Sequence, residues 1–275
     1  MKKRHNLRLT SISMSIFVLL CACEAQNEKN IMTQFESKIW VSAQKDTLRY
    51  RWLIPKDYEP SKKYPLVIFL HGVYQRGDDN IRQTEDIAHV FLDETHRKNY
   101  PCFLIAPQCP KDSYWANFVR DEEGKRALGN KPTLSIGLLI KLIKQLPKEY
   151  AIDTDRIYIT GLSMGAFGTF DLLMREPELF AAAVPICGGG VPSYASVFKH
   201  VPIWIFHGAE DEVVPVQYSR EMVKALENAG GSPLYTEYPA IKHDSWTPAY
   251  QEPQLFDWLF SQKKENQHSE DPLEQ

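Results

Sequence analysis

The sequence predicts an α/β domain with a mostly parallel sheet and helices on both faces. Three observations carry the prediction. Strand-length apolar runs alternate with helix-like patterns along most of the 275 residues. Pro65–Leu70 is apolar without a break, as a strand buried on both faces must be. An apolar strand also runs straight into Gly161-Leu162-Ser163-Met164-Gly165 and on into a helical pattern.

In chain order, Phe35–Val41 and Thr47–Leu53 read as an opening β-hairpin, and Pro65–Leu70 as a central strand. A helix is expected over Ile81–Lys98, then a strand over Phe103–Ala106 and a long irregular segment from Pro107 to Pro132. The next helix spans Thr133 to about Tyr150, followed by strand Arg156–Thr160 and helix Met164–Arg175. Strands Ala181–Ile186 and Ile203–Phe206, helix Val216–Asn228, strand Leu234–Tyr238 and helix Gln254–Ser261 complete the pattern. The elements are continuous, so one domain is expected over residues 33–262, with a polar, disordered tail over 263–275.

The N-terminal stretch has a composition of its own. Lys2, Lys3, Arg4 and Arg8 precede an apolar run from Ile12 to Leu20, then Cys21-Ala22-Cys23. A charged start, a short apolar region and a small residue read as a secretory signal over 1–22. The run is about half of the ~20 residues that a spanning helix needs. Leu20-Cys21-Ala22-Cys23 resembles the lipobox of bacterial lipoproteins, in which the last cysteine is acylated; that makes Cys23 the lipidation candidate and residues 23–32 a tether to a membrane. Losing residues 1–22 removes four basic residues and no acidic one from totals of 32 and 35, leaving 28 against 35. A net charge of about −7 lacks the basic footprint of a nucleic-acid binder.

The chemistry starts at Gly161-Leu162-Ser163-Met164-Gly165. Between a strand and a helix, Gly-x-Ser-x-Gly turns the backbone sharply and lifts the serine hydroxyl clear of the sheet. A hydroxyl needs a base, an orienting carboxylate and an oxyanion site to act as a nucleophile. In this arrangement acid and then histidine follow the serine in the chain. That leaves His200, His207, His243 and His268. His268 lies in the polar tail, His200 precedes a strand, and His207 beside Gly208 reads as a structural turn. His243, in the loop after the last strand, is the candidate base. Glu210, Asp211 and Glu212 follow the Ile203–Phe206 strand, and Asp211 is the candidate acid because a short side chain has fewer rotamers to fix. Met164 N–H and Val73 N–H, the latter after His71-Gly72, are the candidate oxyanion donors.

These segments make a resemblance specific. LHGVYQRGDDN (70–80), APQCP (106–110), GLSMGAFGT (161–169), HGAEDEVVP (207–215) and HDSW (243–246) are similar to α/β-hydrolases of the serine-esterase group. That group includes feruloyl and acetyl-xylan esterases, polyhydroxybutyrate-depolymerase-like enzymes, dienelactone-hydrolase relatives and a secreted subgroup often labelled peptidases. Val73-Tyr74-Gln75 departs from it, since relatives carry a small residue and glycine after His-Gly. The family's strand order implies that the Phe103 and Ala181 strands lie three ladder steps apart, roughly 14 Å at ~4.8 Å per step. A disulfide needs Cα atoms within ~7 Å, so Cys102, Cys109 and Cys187 are expected as free, poorly exposed thiols.

Many relatives of this fold insert a lid after the strand corresponding to Ala181–Ile186. Here only Cys187 to Val201 fills that gap, too little for a lid domain. The long segment from Pro107 to Pro132 is of a kind that is usually functional or disordered. Its Tyr114, Trp115 and Phe118 could stack on a sugar or aryl group, or could hold the loop down as a satellite cluster; Trp246 carries the same two readings. Trp115, Trp246 and Gln108 are the candidate substrate-binding residues. No P-loop, His-Glu-x-x-His or metal-spaced Cys/His cluster is present in the sequence, so no metal or other cofactor is implied. The functional expectation is an exported esterase acting on acyl groups of plant-type polysaccharides, its partner an ester-bearing polymer or a small ester. The competing readings are a prolyl-oligopeptidase-like serine peptidase and a non-catalytic carbohydrate-binding lipoprotein.

Overall fold

The computed structural model describes residues 33–264. The expected signal (1–22), the tether (23–32) with Cys23, and all of the tail beyond residue 264 lie outside them. Among the described residues no helix is long and apolar enough to cross a membrane.

Among the described residues ten strands form: β1 (Glu36–Val41), β2 (Thr47–Leu53), β3 (Tyr64–Leu70), β4 (Phe103–Pro107), β5 (Phe118–Arg120), β6 (Arg126–Leu128), β7 (Ile152–Leu162), β8 (Ala182–Ile186), β9 (Trp204–Gly208) and β10 (Leu234–Tyr238). The helices are α1 (Ala88–Phe91), α2 (Glu94–Asn99), α3 (Leu134–Gln145), α4 (Met164–Arg175), α5 (Ala195–Phe198), α6 (Gln217–Asn228), α7 (Trp246–Tyr250) and α8 (Leu255–Ser261). Eight strands make one sheet in the order β1-β2-β4-β3-β7-β8-β9-β10. The first two pairings are antiparallel, and β4 through β10 run parallel.

Side chains alternate across this sheet, and the alternation builds two cores. Leu66, Ile68 and Leu70 of β3 pack with Ile159, Ile205, Leu139, Phe170 and Met222 on the α3–α6 face. Val67 and Phe69 pack with Tyr158, Phe206, Phe91, Ala249 and Leu259 on the face of α1, α7 and α8. All seven residues of β3 are buried, as its unbroken apolar run requires.

Several boundaries differ from the sequence reading; β7, expected over Arg156–Thr160, runs over Ile152–Leu162. The helix expected over 81–98 breaks into a 3₁₀ turn (Arg82–Thr84), α1 and α2, because Asp93 caps a new helix by accepting from His96 N–H at 2.8 Å. The helix expected to reach Tyr150 ends its α portion at Gln145, where Pro147 removes a donor and a 3₁₀ turn takes over. The segment expected to be irregular holds the β5–β6 hairpin, whose turn is pinned by Asp121 Oδ1 accepting from Glu123 and Lys125 N–H and by Gly124 at φ 78°. A short helix, α7, forms directly after His243.

Two further expectations hold. Between β8 and β9 stand only a 3₁₀ turn (Pro192–Tyr194) and α5, with no lid domain among the described residues. Strands β4 and β8 lie three steps apart, and Cys102, Cys109 and Cys187 are all free and buried.

Candidate active site

Ser163 occupies the sharp turn between β7 and α4, with φ 51° and ψ −117°, a conformation that costs energy for any residue but glycine. The turn is held because Ser163 N–H donates to Ile186 O of the neighbouring strand at 2.9 Å. A Cβ on Gly165 would stand 1.9 Å from Leu70 O, so only glycine lets the start of α4 press against the end of β3. The local sequence thus raises the serine at the C-terminal edge of the parallel strands, where α/β sheets place their ligands.

The acid and the histidine reach this edge from two loops. Asp211 follows β9, and His243 follows β10. A Cβ on Gly208 would lie 2.1 Å from Lys242 O, so the glycine at the end of β9 lets the His243 loop pass close by. Glu210 N–H and Ala209 N–H donate to Ile241 O and Tyr238 O at 3.0 and 2.9 Å and lock the two loops together. His243 Nδ1–H donates to Asp211 Oδ2 at 2.7 Å, and His243 Nε2 accepts from the Ser163 hydroxyl at 3.0 Å. Val213 and Val214 N–H both donate to Asp211 Oδ1 at 2.8 Å. Burial alone would raise the Asp211 pKa, but the His243 hydrogen bond and these two amides outweigh it and hold the carboxyl below its ordinary value. Glu210 and Glu212 are exposed, Glu212 lying 3.8 Å from Lys242, and neither reaches His243. His200 points away and pairs with Glu178 at 3.2 Å. His268 lies outside the described residues.

Met164 and Val73 are the first residues of α4 and of a 3₁₀ turn (Val73–Gln75), positions whose N–H groups have no partner inside their own helix. The Val73 loop is clamped from below. His71 is fully buried, donates from Nδ1 to Gly72 O at 2.6 Å and accepts from Cys109 N–H on Nε2 at 3.0 Å; burial lowers its pKa to about 4, so the ring stays neutral. Arg76 donates to Val73 O at 3.1 Å and to Ser113 O at 3.0 Å.

Two of the three substrate-binding candidates belong to this clamp instead. Trp115 is 0% exposed and its indole N–H donates to His71 O at 3.1 Å. Gln108, 2% exposed, accepts from Asn80 N–H at 2.7 Å and donates to Asp79 Oδ1 and Gln75 O at 2.9 and 3.1 Å. Their polar atoms are spent inside the fold, which removes both from the surface a substrate meets. Trp246 is half-buried and sets its ring edge-on against His243, with centroids 5.4 Å apart.

Other residues line two open clefts. A cleft of about 520 Å³ is lined by Tyr114, Asn117, Phe118, Met164 and Phe167. A second, of about 550 Å³, lies against Arg126, Gly190 and Tyr218. The Arg126 guanidinium sits over the rings of Tyr218, Phe167 and Phe118 at 4.1, 5.3 and 5.7 Å and donates to Gly190 O at 3.2 Å. Phe167 was legible in principle, since it stands one helical turn beyond Ser163. Arg126 carries no local signal, because the hairpin that delivers it had read as irregular.

This geometry can pass a proton from the serine to the histidine while the carboxylate stabilises the resulting charge. Known proteins with related chains bear on it. The chain is 26% identical over 170 residues to a bifunctional acetylxylan esterase/xylanase of Neocallimastix patriciarum, covering 62% of this chain and 22% of that protein. It is 32% identical over 126 residues to poly(3-hydroxyalkanoate) depolymerase C of Paucimonas lemoignei, covering 46% and 28%. The chain therefore spans under a third of either curated relative. A crystal structure of a thermostable esterase superposes with a TM-score of 0.78 at 42% identity, covering 85% of this chain and 64% of that one. The resemblance read from the motifs is borne out. With residues 58–256 matching its family description and the sheet order of its fold present, this chain belongs to the phospholipase/carboxylesterase family and has the α/β-hydrolase fold.

Proposed function

We propose that the protein is an exported serine hydrolase that cleaves carboxylic esters, with acetyl or feruloyl groups on plant-type polysaccharides as its substrates. The observation that carries the reading is the hydrogen-bonded chain Ser163–His243–Asp211 at the C-terminal edge of the parallel strands. In this mechanism Ser163 Oγ attacks the ester carbonyl as His243 Nε2 takes its proton, and the Asp211 carboxylate steadies the imidazolium. Met164 and Val73 N–H receive the oxyanion. The imidazolium then protonates the departing alcohol, and water enters by the same route in reverse to release the acid from the acyl-enzyme. A site without a lid domain suits an ester that projects from a bulky polymer, and the acetylxylan-esterase relative favours a sugar-borne acyl group.

A panel of p-nitrophenyl acetate, methyl ferulate, acetylated xylan and a peptide amide tests the substrate class. Turnover of the esters, with release of acetate from xylan and no cleavage of the amide, is the expected result. Amide cleavage at a rate matching the esters would favour a peptidase, and no turnover of any member would favour a binding protein.

The reading places the enzyme outside the cytoplasm on a lipid at Cys23. Mass spectrometry of the mature N-terminus should find an acylated Cys23, and Cys23→Ala should leave the membrane fraction. A two-chain lipid supplies the stable anchoring that one chain does not. A soluble wild-type protein with an unmodified N-terminus would reject the lipid, and full-length protein retaining Met1 would reject export.

A further inference from the structure

His207 has no part in the Ser163–His243–Asp211 chain, yet it touches that chain at its most buried point. Its side chain is fully buried on β9. His207 Nε2 lies 3.2 Å from Asp211 Oδ2 and 2.9 Å from Val214 O. Both of those atoms are acceptors, so this nitrogen must carry the proton. On the other side of the ring, Nδ1 lies 2.7 Å from the hydroxyl of Ser219, which is also fully buried and stands 3.0 Å from Gly188 O. With the proton on Nε2, Nδ1 is an acceptor, and the single proton of the Ser219 hydroxyl is shared between it and Gly188 O. Burial pushes His207 below its ordinary value, which keeps this tautomer neutral.

Asp211 Oδ2 therefore receives two imidazole N–H groups, from His207 and from His243, while Oδ1 receives the amides of Val213 and Val214. We propose that His207 is a positioning residue: its Nε2–H, held by Ser219, aims Asp211 Oδ2 at His243 and draws off part of the carboxylate's charge, which limits how strongly that carboxylate holds a proton on His243. The inference rests on the triad reading above and adds a fourth residue to it.

The sign follows from the charge. Without the His207 donor the whole carboxylate charge faces His243 and stabilises its imidazolium, so His243 gives up its proton at higher pH. Catalysis needs that ring unprotonated. In His207→Leu the acid limb of kcat/KM should therefore move up by about one pH unit, the lower end of what a neighbouring charge does to a titration. At a pH on that limb kcat/KM should fall about tenfold, and most of the loss should return at the alkaline plateau, with KM for p-nitrophenyl acetate unchanged. His207→Gln, whose amide nitrogen falls near the position of Nε2, should restore the wild-type profile. Ser219→Ala, which removes the hydroxyl that holds the ring at Nδ1, should shift the limb in the same direction as His207→Leu.

Other groups also act on this neighbourhood. Cys187 lies within 4.8 Å of His243 and Asp211, its thiol kept protonated by burial at a pKa of about 12. Asp244 adjoins His243, and the buried Asp86, raised to about 6 by burial first and then by the charges of Glu85 and Asp244, lies near Asp244. Glu237 feels His207, and Ser163 and Trp246 face the ring directly. All of these are common to wild type and variants and cancel from the difference.

The experiment is an NMR titration of the full chain with labelled histidine, run beside the pH profile. The His243 titration reports its coupling to Asp211 whether or not any ester is hydrolysed. A raised His243 titration in His207→Leu and Ser219→Ala, absent in His207→Gln, supports the inference even if the protein proves inactive on esters, a result that would sink only the proposed function. An unchanged His243 titration in both variants, or a loss of kcat/KM equal at every pH, would overturn the inference and leave the esterase reading standing. Should His207→Leu fail to fold, Ser219→Ala decides alone.

Discussion

Ser163→Ala is expected to lower kcat for ester hydrolysis by about 10⁶-fold, the scale of removing the nucleophile from a serine-hydrolase triad. Labelling by a fluorophosphonate probe should vanish with it. Alanine accepts the same backbone strain as serine at φ 51°, and the Ile186–Ser163 hydrogen bond is made by the backbone. The hydroxyl bonds to His243 at 3.0 Å, a half-buried partner, so the melting temperature should barely move. Residual turnover would come from binding and from the Met164 and Val73 amides, which on their own leave a rate well above water. Persistent labelling of the variant would remove Ser163 from the mechanism, and loss of the fold would be seen at once by circular dichroism.

The second large effect is at the acid. Asp211→Asn should cut kcat by up to ~10⁴-fold with little change in KM. The amide keeps the shape of the carboxylate, and its oxygen can still accept from Val213 and Val214 N–H at the positions now 2.8 Å away. Its NH₂ group then faces His243 Nδ1, which must become an acceptor. The ring proton moves to Nε2, where it meets Ser163 and blocks proton transfer. The same NH₂ also confronts His207 Nε2–H, which keeps only Val214 O, at 2.9 Å, as its acceptor. Glu210→Gln and Glu212→Gln should leave kcat near the wild-type value, because both side chains are exposed and neither contacts His243. If either of those changes were the damaging one, the assignment of the acid would fall.

Much of this architecture was legible because its signals are local. The unbroken apolar run of β3 needs burial on both faces, and the glycines of the Ser163 turn need a tight strand-to-helix connection; neither depends on distant residues. Chain order alone then narrowed the histidines, and the carboxylate with the shortest reach proved to be the one beside His243 at 2.7 Å. The helix expected over 81–98 was misread because apolar spacing persists through Asp93, whose carboxylate starts a new helix. The β5–β6 hairpin was missed because its pairing is short and its charged turn resembles a solvated loop.

Sequence by itself determined the parallel sheet, the serine turn and the short β8–β9 connection, since each follows from spacing and residue type along the chain. Only the tertiary structure decided what Trp115, Gln108 and His207 do. An aromatic ring, an amide and an imidazole carry the same chemistry at a surface or in a core, and which use is made depends on partners far away in sequence. Trp115 and Gln108 turn inward because the Val73 loop offers them buried donors and acceptors to satisfy. His207 meets Asp211 because β9 ends beside a loop that folds back over it, a juxtaposition set by packing and by the need to pair every polar group taken out of water.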